Sequence, residues 1–273
     1  MSTPETPAAP VADYVMSEEQ KFSFDMRGWL LIPGVLSAAE CQEIREFLAT
    51  WRERRESLPR HERAGYGGPV AKLHDHPVAA GILRSIIAQD VNEKAYGFRL
   101  EGNYIQYRQA GSDGIDPHGG GAGAGPLAYQ VYNRRIYSGL TRVVWEINPV
   151  EKGAGGTLLM SGSHKSAFGV PPEHRVKSSP LFETYDCPEG SLLFFTESLC
   201  HSGALWKSAT PRLAVFNCYS DHHTQYHKQR WDAEVVASWP AKRQTLVRGV
   251  WHADFNQSPT LINDWYGPDN RAY

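Results

Sequence analysis

Apolar positions in the first third of the chain recur at helical spacing, and each run is introduced by a capping signal. Ser17 with Gln20, and Ser37 with Glu40, have the form in which a hydroxyl and a carboxylate or amide satisfy one another's backbone partners at a helix start. The second pair opens an amphipathic run through Cys41, Ile44, Phe47, Leu48 and Trp51. Pro77, whose missing N–H costs nothing at a first helical position, opens another through Ala79, Ile82, Leu83 and Ile86 to about Ala88. Gly28 to Pro33, between the first two helices, predicts a strand.

From about Phe98 the pattern changes to period two and to short apolar runs separated by turn residues, as in an antiparallel sandwich or barrel. The runs are Phe98 to Tyr107, Arg142 to Ile147, Thr157 to Met160, Ser191 to Phe195 and Arg212 to Tyr219. No repeat of 20 to 50 residues is visible, which disfavours propellers and solenoids. The expected fold is therefore mainly β with flanking helices: a double-stranded β-helix, or cupin-like jelly roll, of about eight strands. Residues 1–15, rich in proline and small side chains, predict a flexible tail, and residues 16–273 a single domain.

Composition narrows the function classes. The 273 residues are 41% hydrophobic and 21% charged, as in a globular chain. The 28 Lys and Arg against 30 Asp and Glu leave a net charge of −2, with no overall positive field for nucleic acid or anionic lipid. The longest nearly apolar stretches, Gly28 to Leu36 and Ser191 to Phe195, are far below the roughly 20 residues that span a bilayer. No charged-then-apolar leader pattern opens the chain, so neither a membrane nor a nucleic-acid partner is expected and a cytoplasmic location is. Cys41, Cys187, Cys200 and Cys218 form no CxxC pair and predict buried, reduced thiols.

Eleven histidines remain to be sorted. His74 and His76 precede a proline-initiated helix and suit capping or a solvated loop. His223 and His227 have the spacing of two imidazoles on one helical face but lack a third ligand. His118 stands in Asp116-Pro117-His118-Gly119-Gly120-Gly121, where small residues leave room for a bound group. His201 follows the Ser191 to Phe195 run, and Arg212 comes 11 residues later at the start of the next. Two neutral imidazoles facing each other across a barrel mouth suit a divalent transition metal, and an arginine fork there can receive a carboxylate.

Three segments then carry a family likeness: Gly28-Trp29-Leu30-Leu31-Ile32-Pro33-Gly34-Val35-Leu36; Gly155-Gly156-Thr157 through Gly162-Ser163-His164-Lys165; and Pro188-Glu189-Gly190-Ser191 leading to His201 and Arg212. In their order and spacing the chain resembles the phytanoyl-CoA dioxygenase family of Fe(II)/2-oxoglutarate-dependent oxygenases, from about Phe22 to Tyr219. The resemblance implies a non-haem iron enzyme with His118 as proximal ligand, His201 as distal ligand and Arg212 on the far carboxylate of 2-oxoglutarate. Gln106 and Thr157 are further candidates for the cofactor, Tyr104 shares the strand of Gln106, and His164 and Lys165 belong to a structural turn.

One departure leaves the chemistry open. The family's HxD or HxE carboxylate falls on Gly120, so the two-histidine, one-carboxylate triad lacks its acid. Three alternatives follow: an oxygenase in which Asp116 is the third ligand; a halogenase in which chloride, or a water, takes the place vacated at Gly120; and a non-catalytic ligand-binding barrel. Hydroxylation of an aliphatic C–H with dioxygen is the preferred expectation. Arg134, Arg142 and Tyr129 lie near the expected mouth and are the candidate contacts for a small-molecule substrate such as an amino acid, a natural-product intermediate or a lipid-like acid.

Overall fold

The architecture follows from two apolar faces on the same strands. The computed structural model describes residues 14–121 and 123–250. Among them lie strands β1 (Trp29–Ile32), β2 (Phe98–Arg108), β3 (Tyr129–Tyr132), β4 (Arg135–Ser138), β5 (Thr141–Glu146), β6 (Thr157–Leu159), β7 (Ser191–Thr196), β8 (His201–Gly203) and β9 (Arg212–Asp221). Helices α1 (Glu18–Arg27), α2 (Ala38–Arg54) and α3 (Pro77–Ile86) precede or interrupt them, and the short α4 (Ala233–Ala237) and α5 (Ala241–Gln244) follow.

A five-stranded antiparallel sheet has the order β1-β7-β5-β9-β2. Alternate side chains of its central strands enter two cores. Val143 and Trp145, Leu192 and Phe194, and Leu213 and Val215 pack with the helices on one face. Val144, Leu193, Phe195, Ala214 and Phe216 pack on the other face beneath a smaller sheet. Both faces being covered, these strands read as continuous apolar runs rather than as strict alternation. The smaller sheet pairs β6 with β8, and isolated bridges extend it from Leu159 to Glu183 and from His201 to His118. Two facing antiparallel sheets make the expected double-stranded β-helix.

Both capping boxes form as the sequence predicts, and α3 begins at Pro77. The β3–β4 hairpin is an addition that hydrophobic patterning does not reveal. Its two-residue turn, Asn133 and Arg134, has φ of 49° and 60°, and most of β3 is exposed. Of the expected tail, residues 1–13 lie outside the described residues. Tyr14 is docked against α3, where its carbonyl oxygen would lie only 1.9 Å from a Cβ built on Gly81.

Candidate active site

His118 and His201 are brought face to face by the backbone itself. The two residues exchange both main-chain hydrogen bonds, at 3.1 and 2.9 Å, as directly opposed partners on antiparallel strands. Their rings lie 4.1 Å apart between centroids. Each imidazole places Nδ1 2.8 Å from the carbonyl oxygen two residues before it, Asp116 for His118 and Leu199 for His201. A carbonyl only accepts, so Nδ1 carries the proton in both rings and both Nε2 lone pairs are free. Burial pushes the pKa of His201 down to about 4, although Glu197 opposes the shift. It is therefore neutral at pH 7.

A carboxylate does lie beside the two imidazoles, that of Glu197, a residue that neither patterning nor family likeness selects. It follows β7 and precedes His201 by four positions, and its Oε2 lies 3.6 Å from Nε2 of His201. One ligand atom each from His118, His201 and Glu197 falls within 4.8 Å of the others. The other oxygen, Oε1, accepts from Nε of Arg142 at 2.6 Å and from its Nη2 at 2.5 Å. Burial raises the proton affinity of Glu197, but the Arg142 guanidinium and His201 outweigh it and hold the carboxyl below its ordinary pKa. The available signals were an acid directly after a fully apolar strand and an arginine inside another.

Neither position proposed for the third ligand points into this group. The Asp116 side chain is 92% exposed and lies 3.4 Å from Lys177, so Asp116 serves His118 through its carbonyl alone. Gly119, Gly120 and Gly121 have φ of 74°, 85° and 109°, a left-handed run that breaks the extended alternation an HxD motif relies on. A Cβ on Gly120 would meet Val170 at 2.6 Å and Cys200 at 3.1 Å. A side chain there would start against Val170 and Cys200, and neither imidazole is among the nearest atoms.

The cofactor candidates do converge. Arg212, Gln106 and Thr157 line one cavity of about 400 Å³ together with His118 and His201. Arg212 is fully enclosed; its Nε donates to Oε2 of Glu146 at 3.1 Å and its Nη2 to Oε1 of the same carboxylate. Nη1 donates to Oε1 of Gln106 at 2.7 Å, and Nη2 also reaches Oγ1 of Thr157 at 3.2 Å. The Tyr185 hydroxyl donates to Glu146 at 2.6 Å, so the arginine is braced from behind. Burial disfavours the charge on Arg212, but Glu146 more than restores it and raises its pKa.

The substrate candidates separate. Arg142 lines the cavity but is engaged by Glu197. Arg134 sits at the tip of the β3–β4 hairpin, where its charge acts on Glu18 of α1. The hydroxyl of Tyr129 donates to Asp25 at 2.9 Å and its ring packs edge-on against His164, joining the hairpin to the turn after β6. Phe195, Ile115, and Tyr104 stacked 4.7 Å from Phe216, give the cavity apolar walls instead. His223 and His227 do not share a helical face, because the segment between them is not helical. The four cysteines are free and buried, as expected.

Comparison with known proteins identifies the family and the fold. Residues 24–214 match the family model described as phytanoyl-CoA dioxygenase. Uncharacterized proteins of Mycobacterium tuberculosis and Mycobacterium bovis are 27% identical over 147 residues, and the chain spans about half the length of these curated relatives (51% of this chain, 50% of theirs). Among solved structures, HygX from Streptomyces hygroscopicus with nickel and 2-oxoglutarate bound superimposes with a TM-score of 0.66 at 19% identity, covering 81% of this chain and 94% of that one. The epimerase SnoN in complex with Fe3+, alpha ketoglutarate and nogalamycin RO gives 0.51 at 18% identity, covering 77% and 85%. At these identities the structures share a fold; the sequence match carries the family. The chain belongs to the phytanoyl-CoA dioxygenase family of Fe(II)/2-oxoglutarate-dependent oxygenases.

Proposed function

We propose that the chain hydroxylates an aliphatic C–H of a small molecule, with Fe(II) held by His118, His201 and Glu197 and 2-oxoglutarate held toward Arg212, Gln106 and Thr157. The observation that carries this reading is the convergence of Glu197 on the two free Nε2 atoms. Two neutral nitrogens and one anionic oxygen are the donor set that a non-haem ferrous ion takes. When bound, the metal and the keto acid supply activation of dioxygen, with decarboxylation of 2-oxoglutarate to succinate.

The chain's own residues position and insulate. The carbonyls of Asp116 and Leu199 keep the protons of both imidazoles on Nδ1, away from the metal side. Arg142 keeps Glu197 ionised and leaves Oε2 facing His201. Arg212, backed by Glu146, presents Nη1 and its partner Gln106 to the cavity. Phe195, Phe216, Tyr104 and Ile115 exclude water and favour an apolar substrate portion. Hydroxylation is preferred to halide transfer because Glu197 provides the charge that chloride would bring and Gly120 faces away. Dioxygen and a small-molecule substrate are then the partners. No helix among the described residues is long and apolar enough to cross a membrane, and we retain the cytoplasmic reading and the single domain over 16–273 as part of this proposal.

The test is anaerobic addition of Fe(II) and 2-oxoglutarate to the protein. A visible charge-transfer absorption is expected, lost in His201→Ala and Glu197→Ala, together with succinate formation in air. Folded wild-type protein giving neither band nor succinate would reject the proposal.

A further inference from the structure

Arg108 ends β2 directly opposite Arg212 in the β2–β9 ladder. It follows Tyr104 and Gln106 at steps of two, which sets all three on the sheet face that lines the cavity. The residue is 7% exposed. Its Nη1 donates to the carbonyl of Ala204 at 2.9 Å, whereas Nε and Nη2 meet no acceptor and no solvent. An enclosed guanidinium with two unsatisfied nitrogens is costly for a fold to keep without a purpose.

The surrounding charges do not balance. Arg212 is matched by Glu146, which occupies its Nε and Nη2 edge. Asp113, the other acid whose charge acts on Arg108, is exposed and engages Lys177 at 2.8 Å. The wall of the cavity at Arg212, with Arg108 beside it in the ladder, therefore holds two guanidinium groups against one buried carboxylate and is short of one negative charge. Burial and the like charge of Arg212 both lower the proton affinity of Arg108.

We propose that Arg108 supplies the uncompensated positive charge that answers the distal carboxylate of 2-oxoglutarate, while Arg212, neutralised by Glu146, shapes and orients the pole. This rests on the 2-oxoglutarate reading of the cavity. Because Nε and Nη2 are enclosed, Arg108 is a positioning residue that acts through its field in a poorly screened interior, with Arg212 and Gln106 between it and the ligand. A dicarboxylate keto acid completes the missing charge, and a monocarboxylate one does not.

Calorimetric titration of the Ni(II)-loaded protein with 2-oxoglutarate, and with 2-oxopentanoate, which carries a methyl group in place of the distal carboxylate, tests this. Arg108→Met should weaken 2-oxoglutarate binding on the order of 10- to 100-fold and leave 2-oxopentanoate unchanged. Arg108→Lys, which keeps the charge, should retain most of the preference for the dicarboxylate and serves as the decisive variant if Arg108→Met fails to fold. Ligand-free Arg108→Met should melt no lower than wild type, since it removes an unpaired buried charge, whereas a purely structural arginine would melt lower. Equal losses for both keto acids, no loss for either, loss of the preference in Arg108→Lys, or a lowered ligand-free melting temperature overturns the inference. Wild-type protein that binds no 2-oxoglutarate would instead reject the reading beneath it.

Discussion

Replacing Glu197 with glutamine preserves the side chain's shape and removes one charge from a place where two partners need it. Oε1 lies 2.6 Å from Nε of Arg142 and Oε2 3.6 Å from Nε2 of His201. The Arg142 and Glu197 side chains are 15% and 10% exposed, so solvent screens the pair weakly. Breaking such a buried pair from one side costs roughly 3–5 kcal/mol, because the other charge is left desolvated. The metal-free Glu197→Gln protein should therefore lose about 3 kcal/mol or more in chemical denaturation. Loss of an outer-shell partner alone typically weakens metal binding by about 10- to 100-fold, and loss of a ligand should exceed that, so Co(II) affinity should fall by at least about 100-fold. The two effects separate in the double variant Arg142→Met/Glu197→Gln, which no longer leaves a lone guanidinium: stability should recover in part, and Co(II) affinity should not. Calorimetry with Co(II), alongside denaturation of the same samples, reads both. Glu197→Gln binding Co(II) within roughly threefold of wild type, about 0.6 kcal/mol, would show that Glu197 serves only Arg142 and would refute the ligand assignment.

The other expectations concern positions around this centre. Gly120→Asp should not rebuild an HxD ligand but should lower the melting temperature, because the backbone is left-handed with Val170 at 2.6 Å from the new Cβ; a gain in metal affinity would contradict that geometry. Arg212→Leu should cost roughly 3–5 kcal/mol by stranding the fully buried Glu146, and Arg212→Leu/Glu146→Leu should regain part of it, as equilibrium denaturation would show. His74, fully enclosed and with Nε2 3.1 Å from the carbonyl of Tyr66, has its pKa pushed down by burial from 6.5 to about 4. The unfolded chain then binds the extra proton first, so about 3 kcal/mol of stability, present above pH 6.5, should be lost as pH falls from 6.5 toward 4. His164, also brought to about 4, titrates over the same window, so His74→Gln should flatten the acid limb of a stability-against-pH curve without abolishing it; an unchanged limb would count against this account.

The parts of the molecule that patterning reveals are those where burial repeats along a strand. β5, β7 and β9 announce themselves because both faces are apolar, and the segments around His118, His201 and Arg212 are recognisable because they sit at fixed points relative to those strands. The β3–β4 hairpin is silent, since Gln130, Val131 and Tyr132 are exposed and its turn uses Asn133 and Arg134 rather than glycine. Tyr129 and Arg134, candidates for the mouth, are carried by pairing with β4 toward Asp25 and Glu18 instead.

The carboxylate proposed as third ligand is hidden for a different reason. Reading HxG as a lost carboxylate assumes that the residue two after His118 shares its face, and this holds only for extended backbone. Gly119 to Gly121 are left-handed, and a Cβ at 120 would run into Val170 and Cys200. Yet His118 and His201 are bridge partners on neighbouring strands, and the space before their rings borders both strands equally. An acid on the approach to either strand can therefore complete the same triangle. Here the acid precedes the distal histidine instead of following the proximal one, and the long reach of a glutamate, steadied by Arg142, makes the exchange geometrically possible. A missing HxD residue thus says which strand does not supply the carboxylate; whether the centre has lost it depends on the chain beside the partner histidine.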